Sequence, residues 1–246
     1  MTAAILADAG FPPEGTVFDV SSFRLAVADG PHPWVLANEA AIEANWQREI
    51  AANPRLFNGR MVFQRELFFE AGHIEGRAHM VPFAAFLHWR RTGRGPGGHH
   101  LFAIPMIVSA DGAVMAIRMA ETTANPGRVY SPAGSLDAHD VKGGFCDLDS
   151  NMQRETKEET GLDLGEMDVD PTCRAVHVGN SVAVFRVFRS ALSEAEVGAR
   201  VRAHIAADPE PEISELIGIR SPDPRAHDYA PFMPPALDWI FKEGMK

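Results

Sequence analysis

Apolar and polar positions divide the chain into two unequal stretches on either side of a break, RTGRGPGGHH at 91–100. Four glycines and a proline in ten residues predict a loop or flexible linker there, and His99 and His100 fall inside it. Before the break, NEAAIEANWQREIAAN at 38–53 reads as a helix, with Asn38 as a possible cap and Pro54 just past the end. Segments 60–70 and 73–80 read as strands joined at Ala71 and Gly72, and 81–91 as a short helix with an apolar face.

After the break the strand pattern sharpens. Residues 101–119 form two apolar runs around Asp111 and Gly112, a good hairpin turn. A third strand runs through 127–134 into a loop, and 173–190 gives two more strands around Gly179 and Asn180. Residues 193–208 form an amphipathic helix whose Ser193 and Glu196 have capping-box spacing. Residues 212–221 read as a strand and 235–244 as a closing helix. Strands and helices intermix with antiparallel hairpins, so the pattern predicts an α/β protein with a mixed sheet covered by helices.

Composition narrows the function. The formal net charge of −10 argues against a nucleic-acid partner, since no run of Lys and Arg offers a basic face. The most basic stretch, HWRRTGRG at 88–95, is short. An acidic protein that handles phosphate esters needs a local counter-charge, and a divalent cation supplies one. Cys146 and Cys173 have no metal-type spacing and read as two reduced thiols. MTAAILADAGFPPEG lacks the basic start of a signal peptide, and no apolar run is long enough to span a bilayer. These features predict a soluble, cytoplasmic protein with no membrane partner.

The densest chemistry lies in RETKEETGL at 154–162. Ser150 and Gln153 have capping-box spacing, and Gly161 followed by Leu162 marks a helix end. On that helix Glu155 and Glu159 share a face one turn apart, with Glu158 beside them. Like charges there repel each other and the negative end of the helix dipole. Arg154 reaches Glu158 at i,i+4, which leaves Glu155 and Glu159 to bind a hard cation. Oxygen-only ligands favour Mg²⁺ or Mn²⁺ over zinc. A plain solvated helix would explain the same letters. The upstream run VYSPAGSLD supplies a strand end and a glycine loop, which together with the acidic helix make a cradle for metal and phosphate.

This stretch resembles the second half of the Nudix box, G-x5-E-x7-R-E-U-x-E-E-x-G-U, in which U is a bulky aliphatic residue. Arg154, Glu155, Glu158, Glu159, Gly161 and Leu162 match, and Thr156 takes the place of one aliphatic with its methyl free to pack inward. Gly134 fits the leading glycine, and Asp140 stands where glutamate is expected. Thirteen residues, 141–153, separate Asp140 from Arg154 where the family has seven, an insertion of six that enlarges the loop before the helix. The resemblance covers about 98–246. It implies a Nudix-type α/β/α sandwich at 96–246, preceded by an N-terminal α+β extension at 1–95. In that extension NPRLFNGRMVF at 53–63 is faintly similar to Nudix enzymes that split UDP-glucose-type sugars.

The family resemblance implies a Mg²⁺- or Mn²⁺-dependent pyrophosphohydrolase that cleaves a nucleoside diphosphate linked to a group X. Nucleotide sugars come first as substrates; ADP-ribose, a dinucleotide and an acyl-CoA are the alternatives. The other reading is a non-catalytic nucleotide-sensing module. By resemblance Glu155 and Glu159 bind metal, with the Ala133 carbonyl as a further ligand. Glu158 binds metal or pairs with Arg154. Glu212, in DPEPEISE at 208–215, is the candidate for an additional acid or base. Arg118 and Arg128, flanking MAETTANPG, and Gly134 are candidates for holding phosphate or X. The expected partner is a small nucleotide; a homodimer is left open.

Overall fold

The structure, a computed structural model, describes residues 4–245; the first three residues of the MTAAILADAGFPPEG stretch and Lys246 lie outside the described residues. The N-terminal part runs α1 (Ala4–Asp8), β1 (Phe18–Val20), β2 (Ser22–Val27), α2 (Pro33–Ala37), α3 (Glu39–Ala52), β3 (Arg60–Glu70), β4 (His73–Pro82) and α4 (Phe83–Arg91). The chain continues through β5 (His100–Val108), β6 (Val114–Met119), β7 (Val129–Tyr130), β8 (Val141–Lys142), β9 (Phe145–Cys146) and α5 (Leu148–Thr160). It ends with β10 (Asp168–Val169), β11 (Cys173–Val178), β12 (Ser181–Arg189), α6 (Glu194–Ala207), β13 (Ile213–Ile219) and α7 (Met233–Trp239).

Among the described residues the strands form two mixed sheets. The larger has the order β1-β11-β12-β5-β6-β13, with β7 added to β6 and β10 to β12. Its β12–β5 pair is parallel and its β11–β12, β5–β6 and β6–β13 pairs are antiparallel. Side chains alternate across a strand, and β12 shows what covers each face. Phe185 packs edge-on against Trp239 of α7, whereas its neighbour Arg186 pairs with Asp149 of α5. Helices α5 and α7 therefore cover opposite faces, and the expected α/β/α layering is present.

The smaller sheet has the order β3-β4-β2-β9-β8. Strand β1, from the N-terminal part, instead pairs with β11 of the large sheet. Strand β9, from the segment before α5, crosses the other way and pairs with β2. One continuous core results, holding Leu25, Leu67 and Ile74 of the small sheet together with Ile104, Ile117, Val184, Met152 and Leu237. A separate cluster around Phe63, Phe86 and Trp89 lies under α3 and α4.

Three details differ from the sequence expectations. The predicted linker at 91–100 is pinned: the Trp89 indole donates to the Gly95 carbonyl at 3.0 Å, and the Asn180 amide donates to the Arg94 carbonyl at 2.7 Å. Two of its glycines serve close packing. A Cβ on Gly97 would lie 2.2 Å from the Trp34 ring, and one on Gly98 2.2 Å from the Phe63 ring. His99 is buried and His100 starts β5, its ring between Phe86 and Phe102 at 4.5 and 4.7 Å. The 141–153 spacer, which contains the insertion of six, opens with a β8–β9 hairpin that turns through Gly143 and Gly144, both at positive φ, and then enters α5. Helix α5 consequently begins earlier than Ser150, capped by Asp147, whose carboxylate accepts from the Ser150 amide at 3.0 Å. Among the described residues no helix is long and apolar enough to cross a membrane.

Candidate metal and phosphate site

Helix α5 carries the site, and its ends fix its position. Gly161 adopts the left-handed conformation, φ 73°, that stops the helix, with its amide bonded to the Lys157 carbonyl. Leu148, Met152, Thr156 and Glu159 lie on the buried face. Thr156 is fully buried as expected of an inward methyl, and its hydroxyl donates to the Met152 carbonyl. His204 of α6 donates a ring N–H to the Glu158 carbonyl, 2.9 Å away, so one of the orphan carbonyls at the helix end is satisfied.

Two of the three glutamates turn toward the loop after β7. The Glu159 carboxylate, 8% exposed, accepts from the Ala133 amide at 2.9 Å. Glu155 lies against Gly134 so closely that a Cβ there would be 2.2 Å from the carboxyl group. The leading glycine is therefore required for close approach; its φ is ordinary. Glu158 is the exposed member and pairs with Arg154 at 3.0 Å. Arg154 also reaches Glu155 at 2.7 Å, so Glu155 is not left free of it.

Asp140 anchors this arginine. It is 1% exposed and accepts from Arg154 at 2.9 Å, from the Asn151 amide at 2.9 Å and from the Asp137 backbone amide at 2.9 Å. Asp137 adds a second carboxylate 3.5 Å from Arg154. Burial opposes the Arg154 charge, but the Asp140 hydrogen bond and the charges of Glu155, Asp140 and Asp137 outweigh it and hold the guanidinium above its ordinary range.

The glutamates repel one another, and Arg154 offsets only part of it. Burial, reinforced by Glu158 and Asp140 and opposed by Arg154, pushes Glu155 up to about 7. Glu159 is raised further, first by burial and then by the charges of Glu155 and Glu212. Glu212 stands at the exposed rim of this cluster, and its carboxyl is also raised, by the surrounding protein and by Glu158 and Asp208. The structure thus brings Glu212 together with the helix glutamates.

No family model and no curated protein matches the sequence. Solved structures similar to the chain include a MutT protein from Methanosarcina mazei, at 16% identity over 60% of this chain and 96% of that one, TM-score 0.40. The Nudix hydrolase RenU of M. smegmatis aligns at 15% identity over 60% and 85%, TM-score 0.38. The Nudix domain of Shewanella oneidensis NrtR, complexed with ADP ribose, aligns at 11% identity over 58% and 87%, TM-score 0.39. Likenesses this loose bear on neither activity nor substrate.

The chemistry of the donor set, oxygen ligands only, suits a hard cation. Burial and mutual repulsion raise both carboxyls, and a cation between them would relieve the repulsion. Among the described residues no three His, Cys, Asp or Glu side chains form a metal cage by themselves. Mg²⁺ does not require one, because it is commonly held by one or two carboxylates, substrate phosphates and water. Glu155 and Glu159 fit that habit.

The two arginines expected to hold phosphate or X are engaged elsewhere. Arg118 pairs with Glu215 of β13 at 2.6 Å and donates to the Gly127 carbonyl. Arg128 pairs with Asp228 at 2.7 Å. A third arginine escaped sequence reasoning. Arg90, at the end of α4, donates to the Asn125 side chain at 2.6 Å and to the Ala124 carbonyl at 2.8 Å. Asn125 in turn donates to the Tyr130 hydroxyl at 3.2 Å. Asn53 of the NPRLFNGRMVF stretch donates to the Thr122 carbonyl at 2.8 Å. The 122–125 turn thus joins the N-terminal part to β7 and the carboxylates beyond it. Both cysteines are free and buried, with Cys146 pushed to about 12 by burial.

Proposed function

We propose that the protein is a Nudix-type, Mg²⁺-dependent pyrophosphohydrolase, cytoplasmic, that splits a nucleoside diphosphate linked to X into a nucleoside monophosphate and phospho-X. The supporting observation is the pair Glu155 and Glu159, crowded against Ala133 and Gly134 with raised carboxyls that Arg154, 2.7 Å from Glu155, offsets only in part. A merely solvated helix would turn these charges to water, as it does Glu158.

In this reading Glu155 and Glu159 hold the metal, joined by the main-chain carbonyl of Ala133. Glu158 is divided between the metal and Arg154. A bound divalent ion would neutralise the pyrophosphate and lower the pKa of a water aimed at phosphorus. The protein's own part is positioning. Asp140 fixes Arg154, and Arg154 fixes the directions of Glu155 and Glu158. Glu212, whose carboxyl is raised, would accept a proton from the attacking water. Gly134, a candidate for holding phosphate, instead seats the Glu155 carboxyl against the backbone. Arg118 and Arg128 would have to exchange Glu215 and Asp228 for substrate to serve as its ligands.

A nucleotide sugar is the proposed substrate class, supported by the NPRLFNGRMVF stretch and its tie from Asn53 to the 122–125 turn. The 1–95 segment then acts as an extension that walls one side of the site of the 96–246 Nudix region. The test is a hydrolysis screen with Mg²⁺ and Mn²⁺ over nucleotide sugars, ADP-ribose, dinucleotides, CoA esters and nucleoside triphosphates, resolved by phosphorus NMR. Glu159→Gln serves as the blank. Metal-dependent release of a nucleoside monophosphate, lost by orders of magnitude in the variant, is expected. In metal-free buffer the variant should melt no lower than the parent, because it removes a repelled buried charge. Wild-type turnover in Glu159→Gln on a confirmed substrate would refute the assignment.

A further inference from the structure

We infer that Asn151 is a positioning residue of the carboxylate site: its side-chain amide aims Asp140 at Arg154, and Arg154 in turn sets the Glu155 carboxyl. This rests on Glu155 being a metal ligand, and it adds a residue at a position that the box leaves unspecified.

The Asp140 carboxylate is gripped from two sides. Its Oδ2 accepts from three N–H groups, each 2.9 Å away: the Asp137 amide, the Asn151 side chain and Arg154 Nη2. Its Oδ1 accepts from Arg154 Nε at 3.4 Å. An ionised carboxylate has no proton to donate, so the Asn151 group that faces it is the NH2. The main chain repeats the tie. The Asp147 amide donates to the Asp140 carbonyl at 2.7 Å, and the Asn151 amide to the Asp147 carbonyl at 3.2 Å. Asp140 is thus fastened to the start of α5 by its backbone and by its side chain, and what Asn151 fixes is the direction of the carboxylate.

Arg154 passes that direction on. Its Nη2, which bonds Asp140, also lies 2.7 Å from Glu155. A guanidinium is a rigid planar fork, so turning it off Asp140 swings the same nitrogen off Glu155. Helical spacing serves the arrangement, because Asn151, Arg154 and Glu155 stand at i, i+3 and i+4 and are neighbours on the surface of α5.

Stability alone does not account for asparagine here. Asn151 is fully buried in the interior of α5. Asparagine is a poor helix former, and its Oδ1 meets no donor among the described residues, an unfavourable state for a buried acceptor. Leucine shares the branched shape and carries neither penalty. The one group that distinguishes asparagine and is bonded is the amide on Asp140. Departures of this kind from local preference gather at functional sites.

The experiment reads the Arg154 Nε–H by nitrogen-15 NMR of the full chain in EDTA, with Arg154→Lys to identify the signal. The variants are Asn151→Leu, which keeps the branched shape, and Asn151→Ala, which cannot clash. In wild type the signal should be resolved and slow to exchange with water. In both variants it should move toward the position of free arginine and exchange about tenfold faster, the scale of one lost charge-assisted bond. Mn²⁺, followed by its paramagnetic effect, should bind about tenfold more weakly, as for changes just outside a metal's own ligands. On a substrate found by the screen, kcat should fall with KM little changed. Either readout unchanged in a folded variant, the arginine signal or the Mn²⁺ affinity, overturns the inference, and a variant that merely melts lower makes Asn151 a packing residue. Wild type that binds no Mn²⁺, with the Arg154 signal still dependent on Asn151, removes the metal reading and keeps the hold of Asn151 on Arg154.

Discussion

Removing Asp140 should destabilise the protein out of proportion to its size. Asp140→Ala strands two neutral donors, the Asp137 amide and the side chain of the fully buried Asn151, and takes the nearest buried anion from Arg154. Each stranded donor costs about 1–3 kcal/mol. Breaking a buried ion pair outright costs about 3–5 kcal/mol, but Arg154 is 23% exposed and keeps Glu155, Glu158 and Asp137, so only part of that applies. The total is about 4 kcal/mol. For a chain of this length the melting temperature should fall by about 8–16 °C. Urea unfolding of the metal-free protein measures the loss directly. Asp140→Asn keeps the volume and one acceptor and should fall between parent and alanine variant. A loss below about 1 kcal/mol in Asp140→Ala would show that Asp140 does not organise Arg154, and the account of the site's framework would fall with it.

Two further predictions follow from the same geometry. Gly134→Ala drives the Glu155 carboxyl from its seat, so Mn²⁺ should bind about tenfold more weakly, the scale of changes just outside a metal's own ligands, with urea stability little altered; unchanged Mn²⁺ affinity by paramagnetic titration would refute this. His32 and His99 are both buried and held neutral by that burial down to about 4, with His79 and Arg65 adding to the effect at His32. Below the unfolded value of about 6.5 the unfolded chain binds more protons, so stability should fall from pH 6.5 toward pH 4, by about 2 kcal/mol per histidine at pH 5. Urea midpoints at pH 7 and pH 5 measure it, and replacing His99 with Gln should flatten its share.

Strands β5, β6, β11 and β12 of the large sheet were legible because they are apolar runs around strong turns, at Asp111-Gly112 and Gly179-Asn180; β1 and β10, of three and two residues, gave no pattern to read. The chemistry of α5 was legible because helical spacing alone places Glu155 and Glu159 on one face. The partners of that helix were not. Asp137 looks like an ordinary loop acid and Asp140 was marked only by its place in the box; their approach to Arg154 gives both a role. The β8–β9 hairpin has strands of two residues each, too short for any alternation to register. Strand β2 pairs with distant partners, and its apolar alternation is weak. The 91–100 stretch misled for a physical reason: glycine marks freedom and close approach with the same letter, and here Gly97 and Gly98 mark close approach.

The exchange of β1 and β9 between the two sheets has a consequence for synthesis. Residues 18–20 wait for 173–178 before they find their partner, and 22–27 wait for 145 on their second edge. A ribosome must deliver about three-fifths of the chain before the β2 edge is covered and nearly three-quarters before the β1 edge is. Closing such long loops precedes the contacts that reward it. The nascent first half therefore carries open strand edges, which other chains can pair with, and chaperone demand during translation should be set by the hundred or more residues between each early strand and its late partner.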